Sequence, residues 1–364
     1  MSLLINQSPQ TKRIDSIDAL RAFALFGILV VHLSQLYNFD NYNDITWYTP
    51  LGQQLKHLVS SLFSGRCRII FSILFGVSFY LILRNPSYSI FKFCWRCVIL
   101  MFFGFVNNIF YSSDILWWYG INGIILAILP VRKLQNKYIL TIGIVFYMYD
   151  LLHITRWCDY IFPGYNYSSR YIINTSLSDY LQYPYLRVIK EQLQAYSGGM
   201  TETISFFIFG YYLGKKGIIN QIESILTKRV LAVSAFIYFV TRLLYQATDY
   251  MLLFRQLSDL SGAFFYAILF IKIYLYVKNW LLPLTNYGRL GLTNYSLQNI
   301  LWPIIIITII IPYQLSFEFL LIVGILFYIL QLFLSYWWLK MFKFGPLEYF
   351  WRIVTNRKII SNIK

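Results

Sequence analysis

Asp18, Arg21 and His32 stand at the start of the first long apolar stretch, DALRAFALFGILVVH, and are of types that bind and react. On an α-helix the eleven positions from Arg21 to His32 bring the two within roughly 20° of one another and about 16 Å apart along the axis. They share a face with Asp18, Ala22, Leu25 and Ile28. A pocket against that face has a charged mouth and a titratable group three turns deeper. Ionisable side chains inside a membrane helix cost of order 2.5–3.5 kcal/mol each on insertion scales, which marks Arg21 and His32 as candidate functional residues. Histidine, with an ordinary pKa of about 6.5, suits general-base work near neutrality. The forked donors of Arg21 suit a phosphate, and Asp18, three residues before it, is placed to orient it. The structural alternative is that Arg21 snorkels to the headgroups, His32 bonds between helices, and Asp18 with Ser16 caps the helix start and complements its dipole.

The elements that must carry these residues are set by composition. A chain of 364 residues with 58% hydrophobic, 20% aromatic and 13% charged residues, and a mean hydropathy of +0.55, is excluded from the soluble globular class. It reads as an all-α integral membrane protein. Apolar runs of about the length needed to cross a bilayer fall near 18–37, 67–83, 93–112, 114–131, 137–153, 201–214, 230–249, 260–278, 290–312 and 317–339, about ten transmembrane helices. The run at 201–214 is short. This threading puts the larger share of the 31 basic residues on the side of the N-terminus and most of the 15 acidic ones on the other. By the positive-inside rule both termini are cytoplasmic, held by Lys12 and Arg13 at one end and Arg352, Arg357 and Lys358 at the other. The first apolar stretch lacks a small-residue cleavage site and reads as a retained helix. The net charge of +16 is dispersed over short loops, which suits lipid headgroups and excludes a nucleic-acid surface. Cys94 and Cys97 have no second ligand pair, so no metal site is expected.

Two segments outside the membrane are long. The first, Asn38 to Arg66, has apolar residues at helical spacing and reads as an amphipathic helix at the interface. The second, Ile154 to Met200, is rich in Tyr, Ser and Asn with turn signals at Pro163-Gly164 and Gly198-Gly199, and reads as an ordered, ligand-facing loop. Arg66 and Arg68 flank Cys67 at the far end of the second span, where they could hold an anionic acceptor or an oxyanion or anchor the interface. Asp114, followed by Trp117, Trp118 and Tyr119, could line an acceptor site or belong to an aromatic belt. Asn294 and Gln298, one turn apart, could donate into a cavity or bond between helices. Glu348, satisfied by nearby Arg352, reads as part of a structural stop after the last span.

The stretches RIDSIDALRAFALFGILVVH, FSGRCRIIFSILFGVSFYL, SSDILWWYGING, YGRLGLTNYSLQNI and QLFLSYWWLKMFKFGPLEYFWRIVTNRK resemble the YeiB-like bacterial membrane proteins. The last two are the most specific, in a region catalogued in that family as a domain of unknown function. The resemblance covers nearly the whole chain and implies one membrane domain, 1–364. That domain has an acyltransferase-like N-terminal half (1–135), an extracytoplasmic loop (154–200) and a YeiB-like C-terminal half (201–364). It further implies kinship with the transmembrane acyltransferases, among them the type-three enzymes that O-acylate surface glycans and the lysosomal glucosamine N-acetyltransferase. That kinship implies acyl-CoA as a cytoplasmic donor substrate, no permanently bound cofactor, an extracytoplasmic hydroxyl or amine acceptor such as a cell-envelope glycan, and residence among the lipids of a bacterial plasma membrane. Type-three enzymes carry an arginine, ten residues, then a catalytic histidine, a spacing that Arg21 and His32 reproduce. YeiB-like chains commonly have Asn at the position of His32, and often a histidine after the glycine matching Gly104, where this chain has Asn107 and Asn108. Two other readings stand beside acyl transfer: a proton-coupled transporter or lipid-handling protein, and a non-catalytic partner in an envelope assembly.

Overall fold

The computed structural model describes residues 14–37, 49–85, 88–111, 114–152, 199–247, 251–356 and 361–363. The long second loop and the basic residues Lys12, Arg13, Arg357 and Lys358, on which part of the orientation rests, lie outside the described residues. Those described are helical, with one isolated bridge between Phe342 and Ile363. The helices of eight or more residues are α1 (Asp15–Leu36), α2 (Pro50–Phe63), α3 (Arg66–Leu83), α4 (Ile90–Phe110), α5 (Leu116–Ile128), α6 (Asn136–Leu151) and α7 (Gly199–Lys215), then α8 (Lys228–Ala247), α9 (Met251–Tyr276), α10 (Leu282–Arg289), α11 (Gly291–Ile305), α12 (Phe317–Met341) and α13 (Pro346–Asn356).

Seven apolar stretches among the described residues are long enough to cross a membrane: α1, the broken run Pro50–Leu83, α4, α8, most of α9, α11 with its continuation to Ile310, and α12. The other three expected spans coincide with α5, α6 and α7, which have 13, 16 and 17 residues against the about 20 that a bilayer core requires. α1 lies at the centre, with Ala19, Ala22, Ala24, Leu25, Leu29 and Leu33 all fully buried. α7 crosses α3 so closely that a Cβ on Gly76 or Gly210 would strike the backbone of the other helix, the small-residue packing that membrane helices favour. α8 buries none of its residues and turns Val233, Phe236 and Phe239 outward, as a lipid-facing helix does.

Helix ends are cross-linked at both extremes of the bundle. At the basic extreme, Lys215 Nζ donates to the carbonyls of Val131 at 2.9 Å and Leu134 at 2.6 Å, and Arg132 to that of Tyr88 at 2.9 Å. Lys278 meets Asp15 at 3.5 Å, which joins the end of α9 to the start of α1. The Glu348 carboxylate of α13 accepts from Leu292 N at 2.8 Å and Thr293 N at 3.0 Å, so its partner is the start of α11. This caps donors that a helix start leaves unpaired, and burial raises the Glu348 pKa above the ordinary range. At the opposite extreme Tyr37 donates to the Leu315 carbonyl at 3.1 Å, and Thr49 bonds Glu318 at the start of α12.

The amphipathic helix expected after α1 forms as α2, packed along α1 and not across its end. Gly52 lies beside Phe317, on which Tyr37 also packs, whereas the Phe63 ring meets Phe26 at 5.9 Å and Cys67 abuts Gly27. α2 therefore runs back along α1 from its end to its middle. Leu51, Leu58 and Leu62 form one exposed stripe with buried Val59 beside it, while Gln53, Gln54, His57 and Ser60 are exposed on the opposite side, so the helix is amphipathic. Gly65, at φ 75°, makes the break into α3, a left-handed conformation that suits glycine.

Candidate functional site

α1 begins with Asp15 and Asp18 in its first turn, where carboxylates suit the helix dipole. Arg21 Nη1 binds Asp18 Oδ1 at 2.6 Å and reaches the Gly288 carbonyl at 3.3 Å, while Nη2 reaches Ser78 Oγ at 3.3 Å. Gly288 packs on the Asp18 backbone too tightly for a Cβ, and Gly291 lies beside the Arg21 stem. α10 and the start of α11 thereby hold the guanidinium, whose side chain keeps 18% of its exposure.

At the other end of α1, half-buried His32 faces α11 eight residues further on. Its Nδ1 lies 3.1 Å from Asn299 Oδ1, and its ring stacks obliquely on Tyr111 with centroids 4.3 Å apart. Asn299 Nδ2 donates to Asp114 Oδ2 at 2.8 Å. Asp114, buried at the turn between α4 and α5, accepts two further N–H groups, from Asn107 Nδ2 at 3.0 Å and Leu116 N at 2.8 Å. Asn107 also reaches Ser296 Oγ at 3.3 Å. The result is a chain of His32, Asn299, Asp114 and Asn107 from four segments of the fold. Arg21 and His32 both meet α11, one near Gly291 and the other at Asn299, so α1 and α11 run in parallel between the two positions.

A narrow crevice lies beside this chain, lined by Leu29, His32, Leu36, Tyr111, Gln298, Asn299, Trp302 and Pro303, with no room as packed for a water molecule. Trp302 Nε1 and Gln298 Oε1 are buried there without hydrogen-bond partners among the described residues. They leave one donor and one acceptor available to a group that opens the crevice. Entry requires these side chains to move.

Other residues singled out by sequence are placed elsewhere. Asn294 donates to Ser335 Oγ at 2.9 Å, and Gln298 Nε2 to Gln331 Oε1 at 2.9 Å and Tyr287 Oη at 2.8 Å. Both tie α11 to α12 and α10. Arg68 is paired with Glu202 at 2.5 Å and Arg66 with Asp259 at 3.5 Å, the latter under the rings of Tyr238 and Tyr266. With Cys67 against Gly27, these arginines stand beside the middle of α1 and not at its far end. Buried cations there need such partners, which occupy the charge that an anionic acceptor would use. Sequence reading missed Asn299, Tyr111, Ser296 and Tyr295, the last with its ring centroid 6.2 Å from that of His32. One signal was present in Pro303, four residues after Asn299, which cannot donate to the Asn299 carbonyl and precedes a widened π turn at Ile306–Ile310, a distortion common at functional sites.

Residues 213–358, from the end of α7 through α13, match the family described as Protein of unknown function (DUF418). The chain is 29% identical over 366 residues, covering 95% of each chain, to the "Uncharacterized 39.9 kDa protein in amylase 3'region" of Bacillus acidopullulyticus. It is 23% identical over 400 residues, covering 94% of each, to the uncharacterized protein YxaH of Bacillus subtilis strain 168. The family match contains Asn299 and Trp302, while Arg21, His32 and Asp114 lie before it.

Proposed function

We propose that this chain is a multi-pass acyltransferase of the bacterial plasma membrane, with about ten spans and both termini cytoplasmic. It moves an acyl group from cytoplasmic acyl-CoA to an extracytoplasmic hydroxyl or amine, such as that of a cell-envelope glycan. The observation that carries the reading is the pairing of a phosphate-type residue with a base along one helix. Arg21 sits at the basic end of α1, and His32, held at one ring nitrogen by Asn299, sits about three turns away. In the reaction His32 takes the acceptor's proton as its oxygen or nitrogen attacks the thioester carbonyl. The C–S bond then breaks, the new ester or amide remains, and the CoA thiolate recovers the proton from His32. Trp302 Nε1 supplies a donor for the transient oxyanion. Buried Asp114 and Glu202 favour a second reading, a proton-coupled transporter or lipid-handling protein.

Calorimetry with acetyl-CoA tests the donor site. Wild type binds, Arg21→Lys keeps the charge and part of the affinity, and Arg21→Ala loses most of it. Equal affinity in all three, or none in the wild type, removes Arg21 from donor binding. Cysteine labelling in intact cells tests the orientation: a probe between positions 154 and 200 reacts with an impermeant reagent and one at Lys216 is protected. The reverse pattern inverts the topology.

A further inference from the structure

The Asn299 amide is gripped from both sides, and this decides which nitrogen of His32 carries a proton. The Asp114 carboxylate offers acceptors, so at 2.8 Å it takes the NH₂ end of Asn299. The other end, Oδ1, then faces His32 Nδ1 at 3.1 Å. A ring nitrogen can bond to an amide oxygen only by donating, so Nδ1 bears the hydrogen and, in the neutral ring, Nε2 keeps the lone pair. Two other donors, Asn107 and Leu116, fix Asp114 independently of Asn299, and Ser296 braces Asn107. Nε2 has no hydrogen-bond partner among the described residues.

We infer that Asn299 and Asp114 are positioning residues that lock His32 in its Nδ1–H tautomer and leave Nε2 as the proton acceptor. The tautomer stands on hydrogen bonding alone, and its use in catalysis rests on the acyl-transfer reading. The lock matters because the wrong tautomer presents an N–H where the acceptor's proton must go. When Nε2 gains that proton, the Asn299 oxygen and the Asp114 charge behind it stabilise the imidazolium.

The test is nitrogen NMR on full-length protein in lipid bilayers, carrying ¹⁵N-histidine. The chain has three histidines, so His57→Gln with His153→Gln leaves His32 as the single reporter. The expected spectrum at neutral pH has a protonated Nδ1 and a bare Nε2. In Asp114→Asn, residue 114 can donate to Asn299 Oδ1, the Asn299 amide turns over and offers Nδ2 to the ring, and the proton moves to Nε2. Asn299→Leu leaves Asp114 its other donors and releases the ring to a mixture of both tautomers, which keeps the test alive where Asp114→Asn does not fold. A wild-type ring protonated on Nε2, or one unchanged by every folded variant, overturns the inference. The spectrum needs neither donor nor turnover. An Nδ1–H ring in a protein that ignores acetyl-CoA therefore refutes acyl transfer and leaves the lock intact, while turnover by a protein with an Nε2–H ring does the opposite. Where transfer occurs, Asp114→Asn lowers kcat by at least ~10²-fold with KM for the donor held.

Discussion

Gln298 and Asn299 are neighbours on α11, yet the roughly 100° between them turns Gln298 Nε2 toward α12 and the Asn299 amide toward α1. Gln298 meets Gln331 at 2.9 Å and Tyr287 at 2.8 Å, and Asn294 repeats the pattern one turn earlier with Ser335. These are neutral amides and hydroxyls that glue three helices, the common use of polar groups between membrane helices. Asn299 instead lies between an imidazole and a carboxylate, partners that can change charge. One helix thus carries a holding face and a face suited to proton transfer, separated by a single residue.

Substitutions on the two faces separate these uses. Asn299→Leu is expected to cost turnover at least ~10²-fold, near the value of a general base, with donor affinity and thermal stability little changed; a kcat and KM series with a melting curve reads it. Loss of stability with normal turnover in the folded fraction would place Asn299 with the holding face. Gln331→Leu, across from Gln298, is expected to do the opposite, lowering stability by about 1–2 kcal/mol with turnover per folded molecule unchanged. A smaller effect is expected at the start of the same helix. Glu348→Ala uncaps α11 at a cost of about 1 kcal/mol, whereas Glu348→Gln keeps an acceptor and acts mainly on pH dependence. Because burial raises the Glu348 pKa in the folded state, the folded protein binds its proton more tightly than the unfolded chain. Stability therefore falls as pH rises from the ordinary glutamate range through the raised value. Denaturant titrations across that range should show the slope in wild type and a flatter line in Glu348→Gln.

The difference between the two faces also marks how far sequence reading reaches. Composition and apolar run length identify an all-helical chain with bilayer-length helices, and the Arg21 to His32 spacing places both residues against one neighbouring helix. Local pattern could not choose between Gln298 and Asn299, because which face of α11 meets His32 depends on the crossing of α1 and α11, set by contacts such as Gly291 on the Arg21 stem. The same limit misplaced Arg66 and Arg68. A helix lying back along α1, followed by a break at Gly65, brings them to mid-bundle, where Glu202 and Asp259, more than a hundred residues away in the chain, pair with them. Hydropathy reports the length of an apolar run but not the depth at which it starts. The roles of Tyr111 and Ser296 likewise depend on tertiary contacts that no spacing within a single element reveals.

The most direct measurement of acyl transfer is thioester consumption by purified protein in vesicles, with acetyl-CoA supplied on the basic face and a mixed glycan and amine acceptor pool on the other. Wild type and His32→Asn are compared, Asn being near in size and still able to hydrogen-bond. The expected result is equal acetyl-CoA binding by both, with transfer falling by ~10² to 10⁴-fold in the variant. Equal transfer by a folded His32→Asn protein, or no acetyl-CoA binding by wild type, would contradict a base at His32 served by a donor at Arg21.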